Sequence, residues 1–419
     1  MKRFAMLALF ASCTSSIGAT GVDDQPDPGR NGRSDADVVT SEARPGQSDK
    51  AGVSGAGAPS GDTATQAALA REHEKARAAI SAANAHIYAR RVVGQVVGRS
   101  LNATELSALE KNGGAALRSI VGDWVAEPAF AKTARDYTSI KLKASGQREG
   151  LDLDLPGNLA EHLVKNKRPH EEILTARTCF DRTGQETACD TGAPYGAGVL
   201  GTRAFLSNNA SRFNLKRARA MMGTFACLDY PMPHELQPPL ERDLLIAMFK
   251  VDQAPDGTSG AFGNGHACYA CHSQFGAHAQ LFVRFDSAGV WKSDATGLQE
   301  PGGEPGRSKG TLFTSHMQLP ERARDESSQM LGHKVANLAA AAAVIAESPL
   351  FLPCATRSFM GFVFGLADSE VLLIPDAVIE EIVAAARAAE AKPTLAKLTH
   401  EALTHPAVIR SLLPSQGER

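Results

Sequence analysis

The sequence predicts a mainly α protein, built as several helical modules with long irregular loops between them. Three observations carry that prediction. Apolar residues recur at helical spacing in four stretches, strand-type alternation is almost absent, and Gly- and Pro-rich segments separate the periodic ones. At 419 residues the chain is long enough for two or three domains. Its 44 basic and 46 acidic residues leave a net charge of -2, which supplies no electrostatic basis for nucleic acid or a polybasic membrane contact as partner.

No Gly or Pro occurs between Gly61 and Gly94, and Leu69, Ala76, Ile80, Ala83 and Ile87 share one face of a 3.6-residue period. This spacing predicts one long amphipathic helix. Leu117, Ile120, Val121 and Trp124 form a second stripe, and Pro128 is placed to open the next helix at its first turn. A third stripe comprises Val335, Leu338, Ala342 and Ile345; a fourth comprises Leu352, Ala355, Phe359, Phe362 and Leu366. Ser348-Pro349 lies at their junction as a capping pair. Gln280 to Phe285 is the best strand signal, readable equally as a helix end or an extended loop. From Asp286 to about Arg324, with GLQEPGGEPGRSKG at its centre, the composition predicts a long loop.

The amino terminus reads as an address. Lys2 and Arg3 precede an apolar run from Phe4 to Ala11, too short to span a bilayer, so residues 1–20 are expected to be an export signal. Phe10-Ala11-Ser12-Cys13 is lipobox-like, making Cys13 the lipidation candidate; cleavage near Ala19 is the alternative. Residues 21–62 hold almost no large apolar side chains and are expected to be a disordered tether. The expected destination is the periplasm or the outer membrane, as an anchored lipoprotein, with the cell surface as an alternative and lipid at Cys13 as the sole membrane attachment.

Cys268-Tyr269-Ala270-Cys271-His272 carries the chemistry. Two thiols one helical turn apart can add to the vinyl groups along one haem edge, and the next imidazole then meets the iron. The string therefore marks Cys268 and Cys271 as covalent attachment points for one haem c and His272 as the proximal iron ligand. Chance would produce it roughly 0.003 times in a chain of this composition. A structural zinc site would need a second thiol pair, and a thioredoxin-type motif would need a preceding strand; neither is visible.

Setting aside Cys13, Cys268 and Cys271 leaves Cys179, Cys189, Cys227 and Cys354, an even number suited to disulfides in an oxidising compartment. Cys179 and Cys189 flank a short polar loop and are expected to pair, leaving Cys227 for Cys354; four buried thiols are the alternative. For the distal iron ligand, Met317 leads because it sits in a polar loop, Thr314 to Pro320, with little to pack against. Met330 follows; it is expected to start a helix, where burial on the first turn explains it nearly as well, and His316, His333, His278 or an open position are the alternatives, while Met221, Met222, Met248 and Met360 fit helix cores. No nucleophile elbow, phosphate loop or His-Glu-x-x-His string points to a hydrolase, so no catalytic residue is assigned.

Four stretches resemble the large planctomycete- and myxobacterial-type cytochrome c proteins, in which helical modules of unknown function surround a single haem motif. They are Arg91 to Leu106 with Trp124 to Phe130; Gly196 to Leu200 with Ala204 to Leu206, Arg217 to Cys227 and Pro231 to Pro233; Ala267 to His272 with Phe285 to Gly289; and Ser348 to Cys354 with Phe362 to Leu366. The resemblance implies an N-terminal helical module over 63–190, a pre-haem helical segment over 191–250, a cytochrome c-like haem domain over 251–370 and a C-terminal helical segment over 371–419. It also implies electron transfer with a redox partner protein that it does not name. An electron carrier is the leading expectation. A haem-dependent oxidoreductase or peroxidase-like enzyme, or a redox subunit of one, is the first alternative, and a lipoprotein binding module with a structural or sensory haem is the second.

Overall fold

The computed structural model describes residues 63–148, 150–210, 214–239, 266–293, 325–366 and 374–413, all within one compact unit. The expected export signal, Cys13 and all of the tether lie outside the described residues, as do 294–324 and with them His316 and Met317.

The described chain is mainly helical. In order come α1 (Thr63–Ala78), α2 (Ala82–Val97), α3 (Ala103–Asn112), α4 (Leu117–Ala126), α5 (Pro128–Lys141), α6 (Leu155–Lys165), α7 (Glu172–Thr175), α8 (Arg203–Asn208), α9 (Leu215–Phe225) and α10 (His266–Gln280). After them come α11 (Leu338–Glu347), α12 (Phe351–Phe364), α13 (Asp376–Ala389), α14 (Leu395–Thr404) and α15 (Pro406–Ser411). Strands are confined to three small antiparallel pairs: β1 (Gln147–Arg148) with β2 (Leu151–Asp152), β3 (Cys179–Phe180) with β4 (Glu186–Thr187), and β5 (Ser328–Met330) with β6 (His333–Val335).

The long helix expected from Gly61 to Gly94 is two helices. Ser81 ends the first by capping the second, its hydroxyl accepting from the Asn84 amide, which a serine at a break does better than one in a helix interior. The break re-phases the apolar face. Ile87 is 41% exposed, and the buried face of α2 is instead Ala85, Tyr88, Ala89, Val92, Val93 and Val96. The stripe of Leu117, Ile120, Val121 and Trp124 is buried as expected, and Pro128 does open α5. Ser348 differs from its expected role: its hydroxyl donates to the Ile345 carbonyl and closes α11, while α12 starts without a side-chain cap. Val335 lies in β6, outside the helix that its stripe suggested.

Two apolar cores organise these elements. One gathers Ile80, the buried face of α2, Leu117 to Trp124 and Phe130 with Phe359, Met360, Ile382, Leu403 and Ile409, so both ends of the described chain build it. Tyr88 donates its hydroxyl to the Leu403 carbonyl at 2.7 Å across that joint, because a buried phenol needs a partner. The other core gathers Leu159, Phe205, Met221, Met222, Phe282, Phe285, Leu338, Ile345, Phe351 and Leu352. α12 serves both. Its first turn lies in the second core, and its last two turns lie in the first, where Phe359 meets Tyr137 and Phe130 edge-on at 5.0 and 5.9 Å.

Both expected disulfides are present. Cys179–Cys189 closes the β3–β4 hairpin with Cα atoms 5.0 Å apart, and Cys227–Cys354 ties the residues after α9 to α12 at 5.3 Å. Their sequence separations of 10 and 127 residues differ in the unfolded-chain freedom they remove, corresponding to about 3 and about 5 kcal/mol. Replacing both Cys227 and Cys354 by alanine should therefore lower the urea-unfolding free energy more than the same pair of changes at Cys179 and Cys189, by about 2 kcal/mol. Equal losses in the two double variants would show that loop closure is not what the long disulfide contributes.

Candidate haem-attachment site

The backbone places Cys268, Cys271 and His272 on the first two turns of α10, with the cysteines three residues apart and so on neighbouring positions of one face. Of the three side chains the structure describes that of Cys271, which is buried in the same apolar core as Met221, Met222 and Phe225 and takes part in neither disulfide. Residues 240–265, which lead into the helix, lie outside the described residues.

The second half of α10 is held by an unusually polar set of buried side chains. Gln274 is fully buried: its Oε1 accepts from the Met232 amide at 2.7 Å, and its Nε2 donates to the carbonyls of Met232 and Gln237 at 2.8 and 2.7 Å. One turn on, His278 lies between the Gln237 Oε1, 3.0 Å from its Nε2, and the Tyr230 hydroxyl at its Nδ1. Because Gln237 Oε1 can only accept, Nε2 carries the proton and Nδ1 accepts from Tyr230. Burial drives the His278 pKa down to about 3, so the ring is neutral at ordinary pH. Tyr230 also stacks on Phe275 with ring centroids 3.7 Å apart. The Ser328 hydroxyl donates to the Ala277 carbonyl and Gln280 to the Asp325 carbonyl, which fastens β5 along the same helix.

Gln280 to Phe285, the best strand signal and equally readable as a helix end or loop, is the end of α10 followed by turns that bury Leu281, Phe282 and Phe285. The residues are apolar enough for a strand, but their pairing is limited to one antiparallel bridge, Phe285 with Trp291, and Arg217 on α9 takes the Phe285 carbonyl. Its guanidinium donates to Phe285 and Leu206 oxygens, both at 2.9 Å, and to Asp286 O and Asn214 Oδ1. Burial lowers the Arg217 pKa to about 9, against the opposing pull of the Asp286 charge. Nearby, Glu326 accepts from Tyr195 and Trp291 through the same oxygen at 2.8 and 3.0 Å; burial raises its pKa, and these hydrogen bonds and Arg284 oppose that rise.

Met330 does not start a helix. It ends β5, is fully buried and belongs to the core that also contains Cys271, so packing accounts for it as well as ligation does. His333 pairs with Met330 across the hairpin and is exposed. His278 has both ring nitrogens engaged, by Gln237 and Tyr230, and lies six residues, about 9 Å of rise, beyond His272 on the same helix.

The disulfides remove one rival chemistry for the motif. With Cys179, Cys189, Cys227 and Cys354 bonded to one another, no second thiol pair remains for a four-thiolate metal centre. A lone Cys-x-x-Cys-His on a helix fits the donor set of covalent haem. The polar clamp of Gln274 and His278 has no signal in the sequence, because its partners lie some 40 residues away in a loop with no periodicity. No protein-family model, curated protein or solved structure matches the chain.

The clamp makes stability sensitive to acid. The folded pKa of His278 lies below the unfolded value of about 6.5, so the unfolded chain binds the proton more readily and stability is lost as pH falls from about 6.5 toward 3. His278→Gln, which keeps a hydrogen-bonding amide and has no proton to take up, should remove about 1.4 kcal/mol per pH unit from the slope between pH 6 and 4. Urea unfolding at several pH values reads this directly, and an unchanged slope would show that His278 is not buried and neutral.

Proposed function

We propose that the protein is an exported monohaem c-type cytochrome that transfers electrons. The observation that carries the reading is the Cys268 to His272 string on the first two turns of α10, with Cys179, Cys189, Cys227 and Cys354 bonded in two disulfides. Bound there, haem would supply reversible one-electron chemistry at its iron. Cys268 and Cys271 would hold its edge and His272 would bind the iron on one side.

The rest of the chain contributes rigidity. The Gln274 and His278 clamp and the Arg217 contacts fix the helix that carries the motif, so its residues are held in place when the charge at the site changes. A fixed, largely apolar surround is what an electron carrier needs, since it limits rearrangement on gain or loss of charge. The sixth ligand separates carrier from enzyme: a retained methionine favours electron transfer, and an open position permits chemistry at iron. Met317 remains the leading candidate and Met330 the second.

Expression with a c-type cytochrome maturation system should yield protein that keeps its haem on a denaturing gel, and Cys271→Ala should largely remove that stain. Protein from such a host containing zinc and no haem would overturn the proposal. In the haem-loaded protein, Met317→Ala should abolish the methionine-to-iron charge-transfer band and lower the reduction potential while haem stays attached. An unchanged spectrum in Met317→Ala and its loss in Met330→Ala would assign the ligand to Met330.

A further inference from the structure

A second cluster of metal-ligating side chains joins the two ends of the described chain. His73 on α1, Glu381 on α13 and His405 between α14 and α15 converge, with both imidazole Nε2 atoms aimed at the same carboxylate oxygen. His73 Nε2 is 3.3 Å and His405 Nε2 is 3.1 Å from Glu381 Oε2, and the two rings meet edge-on with centroids 4.5 Å apart. All three ligand atoms lie within 4.8 Å of one another. A tetrahedral ion with bonds of about 2.0–2.1 Å spaces its ligand atoms about 3.3 Å apart, so two of the three edges already have that length. We infer that His73, Glu381 and His405 form a binding site for a divalent transition-metal ion of the zinc type.

The surroundings suit such an ion. Two imidazoles and a carboxylate are a donor set that zinc accepts, and three protein ligands leave a fourth position open. His73 and Glu381 line a cavity of about 380 Å³, floored by Ala384, Ala385 and Ala388, into which a water or small anion on that position would project. Of the nearby cations, Arg77 pairs with Glu74, while Arg118 and Lys397 share the single carboxylate of Glu401 at 2.9 and 2.8 Å.

Without an ion the same three groups make hydrogen bonds. The Ala407 amide donates to His405 Nδ1 at 3.3 Å, so Nε2 carries the proton that His405 gives to Glu381. Metal uptake replaces that donated proton at Nε2, moves the ring proton to Nδ1 and releases the Ala407 contact. One long capping contact on a six-residue helix is exchanged for metal–nitrogen and metal–oxygen bonds.

The test uses the full chain as isolated, stripped with a chelator and dialysed against zinc alone, with bound metal counted by mass spectrometry and affinity measured by calorimetry. Wild-type protein should hold one zinc ion per chain and gain thermal stability from it. His73→Ala and Glu381→Gln should each weaken binding by more than about 10-fold and lose the zinc-dependent gain. Both changes fall on side chains that are not fully buried, and circular dichroism checks that the variants stay folded. Zinc binding that is absent in wild type, or unchanged in both folded variants, would overturn the proposal and leave the cluster as a hydrogen-bonded fastener. The site shares no residue with the haem motif, so it stands or falls separately from the proposed function.

Discussion

The helix from Phe351 to Phe364 is the element on which the rest of the fold depends. Its first turn closes one apolar core and its last two turns close the other, and Cys354 between them is bonded to Cys227. That bond fixes the chain just beyond α9, the helix that packs on α10 and whose Arg217 holds the turns after it. Displacing this helix would open both cores and loosen the platform beneath the motif. Burial of Phe351, Leu352, Phe359, Met360 and Val363 on one helix, at about 1.5–3 kcal/mol for each large side chain, makes that displacement costly.

Beneath the motif the protein uses polar groups where a simpler core would use aliphatic ones. Gln274, His278 and Arg217 are each fully buried, and each meets backbone or side-chain partners that answer its hydrogen-bonding groups. Left unsatisfied, any one of them would cost about 1–3 kcal/mol, more for the cation. Satisfied, they fix direction as well as depth, which apolar packing alone does less well. Such a network sets the axis and rotation of α10, and so the direction in which its first two turns present Cys268, Cys271 and His272.

Local features were readable from the sequence; those that join distant segments were not. The Leu117 to Trp124 stripe, the proline opening α5 and the motif itself are each contained within a few turns, and the disulfide pairing followed from loop closure and an even count. The helix break at Ser81 was hidden because a mid-helix serine and a capping serine look alike without their neighbours. Met330 was misplaced for a related reason: its surroundings are compatible with a helix start, and the β-hairpin depends on a turn through Leu331 and Gly332, both at positive φ. The meeting of His73 with Glu381 and His405, and of Gln274 with the loop after Tyr230, follows from tertiary packing that no periodicity encodes.

The proposed function divides the six cysteines beyond Cys13 between two disulfides and one pair of haem thioethers. Peptide mapping by mass spectrometry of the protein expressed with a c-type cytochrome maturation system, alkylated under denaturing conditions without reduction, reads that division directly. The account predicts a Cys179–Cys189 bridge, a Cys227–Cys354 bridge, and a single peptide spanning Cys268 to His272 that carries the mass of one haem and no alkyl label. A Cys268–Cys271 disulfide, or a motif peptide alkylated at both cysteines with no haem attached, would contradict it.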